Sequence, residues 1–120
     1  MINDAVLKKI TEKLKEEFNP EQIIMFGSYA YGMPDKHSDL DLLVIVSESD
    51  EKPVSRKKRA HQCLIDIKNI SMDIIVKTHN EAYYYKDVIG ALTNKILNKG
   101  KVLYASKTGI NEKLASKSFS

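Results

Sequence analysis

Two aspartates stand two residues apart in Ser38-Asp39-Leu40-Asp41-Leu42, at the head of an aliphatic, β-branched run. In an extended strand, residues i and i+2 project from one face, so Asp39 and Asp41 would sit side by side. Carboxylates crowded in this way repel unless a cation lies between them. Hard divalent ions such as Mg2+ take oxygen ligands of this kind while keeping waters and substrate phosphates. Two such ions, roughly 3.5–4 Å apart, form the arrangement used for in-line phosphoryl displacement. A third carboxylate, Asp73, interrupts the otherwise apolar Met72-Asp73-Ile74-Ile75-Val76, where an unpaired charge is costly. If its strand lies beside that of Asp41, it joins the same cluster. There it would ligate the metal that activates an acceptor hydroxyl, or take that proton itself.

Gly27-Ser28 precedes Asp39 by ten intervening residues and follows the apolar run Ile23-Ile24-Met25-Phe26. Gly27 allows a sharp backbone turn with no Cβ in the way of an approaching phosphate. The backbone N–H groups of the following helical turn, with the Ser28 hydroxyl, could hold a triphosphate tail. Gly32 would let the loop turn back toward the aspartates. No Gly-Lys-Ser/Thr follows, so this is not a Walker A loop.

The elements that must position these residues are readable from periodicity. Val6, Leu7, Ile10, Leu14 and Phe18 recur at helical spacing, with Asn3 or Asp4 available as the cap and Asn19-Pro20 as the stop. Ile23–Phe26 reads as a strand buried on both faces. Tyr29–Tyr31 fits one helical turn, and residues 32–38 a polar loop. Leu40–Val46 and Ile70–Val76 read as strands. Pro53 suits the first turn of the helix between them, whose inward stripe is Ala60, Cys63, Leu64 and Ile67. That stripe directs Arg56, Lys57, Lys58 and Arg59 toward solvent. A helix from about Glu81 to Leu97 and a short strand at Val102–Tyr104 complete the series. Strands alternating with helices predict an α/β domain: a small mixed sheet of about four strands flanked by helices.

The chain has 120 residues, 42% hydrophobic and 29% charged, the size of one domain with a single core. The expected division is a domain over residues 1–105 and a polar, loose tail over 106–120. No apolar run approaches the ~20 residues of a membrane span, and Met1-Ile2-Asn3-Asp4 lacks the features of a secretion signal. A cytoplasmic protein is expected, and a single cysteine, Cys63, fits a reducing compartment. Cys63 itself reads as a small core residue. Residues 1–50 hold 5 Lys against 10 Asp/Glu, and residues 51–120 hold 14 Lys/Arg against 6, net charges of −5 and +8. The basic cluster at 56–59 reads as a solvated helix face rather than a nucleic-acid surface.

Gly-Ser, ten residues, Asp-x-Asp and a later strand aspartate together resemble the DNA polymerase β-like nucleotidyltransferase superfamily, and most of all its minimal nucleotidyltransferase domains. The similarity spans about Ile10 to Tyr104 and is most specific from Phe26 to Gly32 and from Ser38 to Leu42. It implies a palm-like fold, nucleotide phosphates at Gly27, Ser28 and Gly32, and two Mg2+ ions at Asp39, Asp41 and Asp73. Tyr31 departs from the pattern, since many relatives carry arginine there; Lys36 or His37 is a possible replacement cation, although His37 also reads as an ordinary loop residue. Similar minimal domains pair with a HEPN-type helical toxin and, as antitoxins, adenylylate a tyrosine on it with ATP as donor. The alternatives are a small-molecule (aminoglycoside-like) nucleotidyltransferase and an idle antitoxin that acts by binding alone. The chain has no room for a second domain, so a second chain would complete the site or dock against it. Tyr83-Tyr84-Tyr85 would be partly core and partly an aromatic docking patch.

Overall fold

A computed structural model describes residues 2–32, 34–35, 37–84 and 91–106. Helix α1 (Asp4–Phe18) starts at Asn3, whose side chain accepts a hydrogen bond from the Val6 N–H, and ends at Asn19 in the left-handed region. Strand β1 (Gln22–Phe26) is buried along its whole length. A single helical turn, α2 (Ser28–Tyr31), follows between Gly27 and Gly32. Strand β2 (Leu40–Val46) leads through α3 (Pro53–Cys63), with Pro53 in its first turn, to β3 (Met72–Thr78). Helices α4 (His79–Tyr84) and α5 (Leu92–Lys99) then precede β4 (Lys101–Ala105).

The sheet order is β3-β2-β1-β4. β1 runs antiparallel to both β2 and β4, whereas β2 and β3 are parallel, so α3 forms the crossover that parallel neighbours require. The mixed four-stranded sheet flanked by helices matches the architecture expected from the sequence. Alternate residues feed two apolar layers. Ile23, Met25, Leu42, Val44, Ile74 and Val76 meet Ile10, Leu14, Ala60 and Leu64 on the α1/α3 side. Ile24, Phe26, Leu43 and Ile45 meet Ala82 and Ile96 on the α4/α5 side.

Two expectations need correction. The helix foreseen over 81–97 is not continuous: the described helices are α4 (His79–Tyr84) and α5, and Ala91 enters α5 in extended conformation (φ −71°, ψ 140°). The basic cluster on α3 is also only half a solvated face: Lys57 and Lys58 are exposed, but the two arginines are not. Arg56 is only 3% exposed, with its guanidinium bonded to the carboxylate of Glu81 and to the carbonyls of Val76 and Glu51. Arg59 stacks over Phe18 and pairs with Glu17 and Glu51, and Lys57 pairs with Asp73. The helix is shorter than its apolar stripe implied, ending at Cys63 rather than reaching Ile67. Tyr83 is half-buried and stacks on His79, and Tyr84 is exposed. Tyr85 and residues 107–120, the bulk of the foreseen tail, lie outside the described residues; the Ser106 N–H bonds to the Glu21 carbonyl. Among the described residues, no helix is long and apolar enough to cross a membrane.

Candidate active site

The parallel pairing of β2 and β3 sets Asp41 directly opposite Asp73, and on its other side Asp41 pairs with Phe26 at the end of β1. Both carboxylates belong to the odd-numbered rows that supply the α4/α5 layer, one step beyond Leu43 and Ile75. They therefore lie where that apolar layer stops. Asp39 precedes β2 by one residue and is exposed. It is delivered by a tight turn in which the His37 N–H donates to the Asp35 carboxylate at 2.7 Å and the Asp35 N–H to the Ser38 hydroxyl at 2.9 Å. The Leu40 N–H then bonds to the Ser71 carbonyl at 2.9 Å, tying the entry of β2 to the entry of β3.

Gly27 lies against the same cluster. Its backbone is at φ 74°, ψ −160°, a combination open to almost no residue but glycine. A Cβ there would stand 2.1 Å from Oδ2 of Asp41. The absent side chain thus makes room for a carboxylate as well as allowing the turn. The Gly27 carbonyl accepts from the N–H groups of Ala30 and Tyr31, which starts α2 with Ser28 as its first residue. Gly32 ends α2 at φ 83°, with open space where its Cβ would be. A cleft of about 380 Å³ opens beside Asp39, lined among others by Tyr29, Asp35, Ser38, Asn69 and Ser71.

The electrostatics follow from this crowding. Partial burial, then the charge of Asp73, then that of Asp39, push the Asp41 carboxyl above its ordinary value. Asp73 is held by the Lys57 ammonium, 2.8 Å from its Oδ1. Among the described residues, no three acidic, imidazole or thiol groups converge closely enough to grip a metal ion as they stand. The donor set nevertheless fits Mg2+ chemically: oxygen ligands only, two of them in register, one destabilised by like charge, and one already bound to a cation. Cys63 takes no part; burial pushes its thiol up, away from the reactive thiolate.

Sequence reasoning brought Asp41 and Asp73 together through a conditional pairing and missed Lys57. No local signal singles out Lys57, because an amphipathic helix turns its charged residues away from the sheet it covers. Of the two replacement cations considered for Tyr31, His37 is exposed in the loop turn and Lys36 lies outside the described residues. The ammonium found over the Tyr31 ring, 5.2 Å from its centre, belongs to Lys95 of α5.

Comparison with known proteins bears on the family and the fold. A candidate protein adenylyltransferase of Methanocaldococcus jannaschii is 30% identical over 84 residues, covering 70% of this chain and 84% of the relative. A second from the same organism is 33% identical over 86 residues, with coverage of 70% and 84%. Among solved structures, a toxin–antitoxin crystallised with AMP-PNP superposes with a TM-score of 0.64 at 20% identity, covering 93% of this chain and 82% of that one. A Sulfolobus solfataricus protein described as a nucleotidyltransferase gives 0.57 at 20% identity, with coverage of 88% and 82%. At these identities the superpositions speak for the fold. The sequence profile of the nucleotidyltransferase domain matches residues 7–102, and with that span the chain belongs to the nucleotidyltransferase domain family.

Proposed function

We propose that the protein transfers AMP from ATP to a hydroxyl group, with a tyrosine of a HEPN-type toxin as acceptor and an antitoxin role for the transfer. One observation carries the reading: Asp41 and Asp73 face each other in register, with Asp39 two residues upstream and Gly27 packed against Asp41. In this reading Asp39, Asp41 and Asp73 would hold two Mg2+ ions, which would supply charge neutralisation on the triphosphate and a lowered pKa for the acceptor hydroxyl. Gly27 and Ser28 seat the polyphosphate at the start of α2, and Gly32 shapes the loop that returns to the aspartates. The acceptor oxygen forms its bond to the α-phosphorus as the bond from that phosphorus to the bridging oxygen breaks. Pyrophosphate leaves, and Asp73 accepts the hydroxyl proton.

A protein acceptor is supported by the names of the relatives from Methanocaldococcus jannaschii, given as candidate protein adenylyltransferases. A toxin acceptor is supported by the likeness to a nucleotide-bound toxin–antitoxin pair. The test is incubation with α-32P-ATP and Mg2+, with and without the protein encoded beside this one. The expected result is label on that neighbour, lost in Asp39→Asn, which removes a ligand charge at constant volume. Full labelling by Asp39→Asn would overturn the metal assignment. Tight association of the two proteins without label would favour inhibition by binding alone.

A further inference from the structure

We propose that Lys57 is a positioning residue that competes with the divalent cation for Asp73, so that metal loading requires its ammonium to leave. The inference rests on the two-metal reading above. Among the described residues, the aspartate cluster has one ion-pair partner, Lys57, whose Nζ lies 2.8 Å from Oδ1 of Asp73.

The four basic residues of α3 differ in what the fold asks of them. Arg56 is buried and fastens the helix to β3 and α4, and Arg59 packs on Phe18 of α1. Lys58 is exposed. Lys57 is exposed too, but it pairs with Asp73. Its helix lies on the α1/α3 side of the sheet, whereas Asp73 belongs to the α4/α5 row, so the lysine reaches round the edge strand β3 to find its partner. Both side chains keep about half their surface in water, at 50% and 45% exposure. Exposed pairs of this kind are weakly bound, each contributing a factor of about five or less, so the ammonium leaves at small cost. A divalent ion between Asp41 and Asp73 needs the carboxylate that Lys57 occupies. Like charge would then drive the ammonium off, in the way a metal displaces any cation from its ligands.

The test is Mn2+ binding by the purified full chain without nucleotide, read from the loss of the free-ion EPR signal, which is independent of turnover. Lys57→Met is expected to tighten Mn2+ binding about five-fold, with Lys57→Arg close to wild type. Lys58→Met removes the same charge one residue away and is expected to change little. In an Asp73→Asn background, Lys57→Met is expected to have no effect. Unchanged or weaker binding by Lys57→Met overturns the proposal, as does an equal gain in Lys58→Met or a gain that persists without Asp73. Failure of the parent reading looks different: Asp39→Asn would then bind Mn2+ as well as wild type, or no variant would bind it up to millimolar concentrations. Thermal melts of each variant establish that the changes in binding occur in a folded chain.

Discussion

At Gly27 two independent constraints fall on one residue, and Gly32 separates them. Both glycines have positive φ, but a Cβ at Gly32 meets nothing, whereas one at Gly27 meets the Asp41 carboxylate. Gly32→Ala is expected to cost about 1 kcal/mol of stability, from the backbone alone. Gly27→Ala is expected to cost more, about 2–3 kcal/mol, and also to displace Asp41. Urea titration measures the first effect, and the transfer assay with native-like circular dichroism measures the second. Gly27→Ala losing far more activity than Gly32→Ala is the expected pattern; equal loss in both would detach Gly27 from the aspartate. Asp41 itself is strained by its neighbours, and the sign of that strain is fixed. Its carboxyl is raised above the ordinary value by burial, Asp73 and Asp39, so folding penalises the ionised form, and the penalty is present at neutral pH and relieved as pH falls. Asp41→Asn removes it, so the variant is expected to melt higher than wild type in EDTA while losing transfer activity. A lower melting temperature would mean that the carboxylate makes stabilising contacts.

The joint between α3 and α4 rests on Arg56 and Glu81, whose atoms lie 2.7 Å apart. The guanidinium is almost fully buried and the carboxylate is not, with 38% of its side chain exposed, so losing either partner has unequal consequences. Glu81→Ala strands a buried cation, whereas Arg56→Met strands a carboxylate that water still reaches. The expected costs are about 3 and about 2 kcal/mol respectively, and the reverse order in urea titrations would place the burden on the carbonyl of Val76 instead. The Arg56 guanidinium, against some cost of burial and with help from Thr78, holds the Glu81 carboxyl at about 2 instead of 4.5. A depressed carboxyl pKa adds stability above the unfolded value and loses it as pH falls toward the folded one. Wild type is therefore expected to lose melting temperature between about pH 4.5 and pH 2 more steeply than Glu81→Gln. This joint marks where sequence reasoning stopped. The apolar stripe of α1 and the buried run of β1 were legible because each signal is local and periodic. Arg56 was not, because its burial depends on a carboxylate 25 residues later and on how α3 rolls against β3. The break between α4 and α5 was missed because helical periodicity continues on both sides of it.

The candidate site exists only in the assembled sheet: Gly27 follows β1, Asp39 stands just before β2 and Asp41 within it, and Asp73 comes from β3, brought alongside by the α3 crossover. Its residues were legible because their types are wrong for the positions they hold, charges where strands should be apolar and a glycine where a strand should continue. Their convergence needed only the pairing of two strands. The side-chain state was not legible, since the grip of Lys57 on Asp73 depends on a helix from the other face. This assembly has a thermodynamic consequence for the proposed function. An unfolded chain scatters these segments over more than forty residues and offers no site, so on that reading Mg2+ with a non-hydrolysable ATP analogue would bind the native state alone. At about ten times its Kd, such a ligand adds about 1.4 kcal/mol, which for a domain of this size raises the melting temperature by about 5 °C. Wild type is expected to show that rise, and Asp39→Asn is expected to fold normally and show none. An equal rise in Asp39→Asn would mean that the nucleotide binds elsewhere, and would separate nucleotide binding from the aspartates without touching the fold.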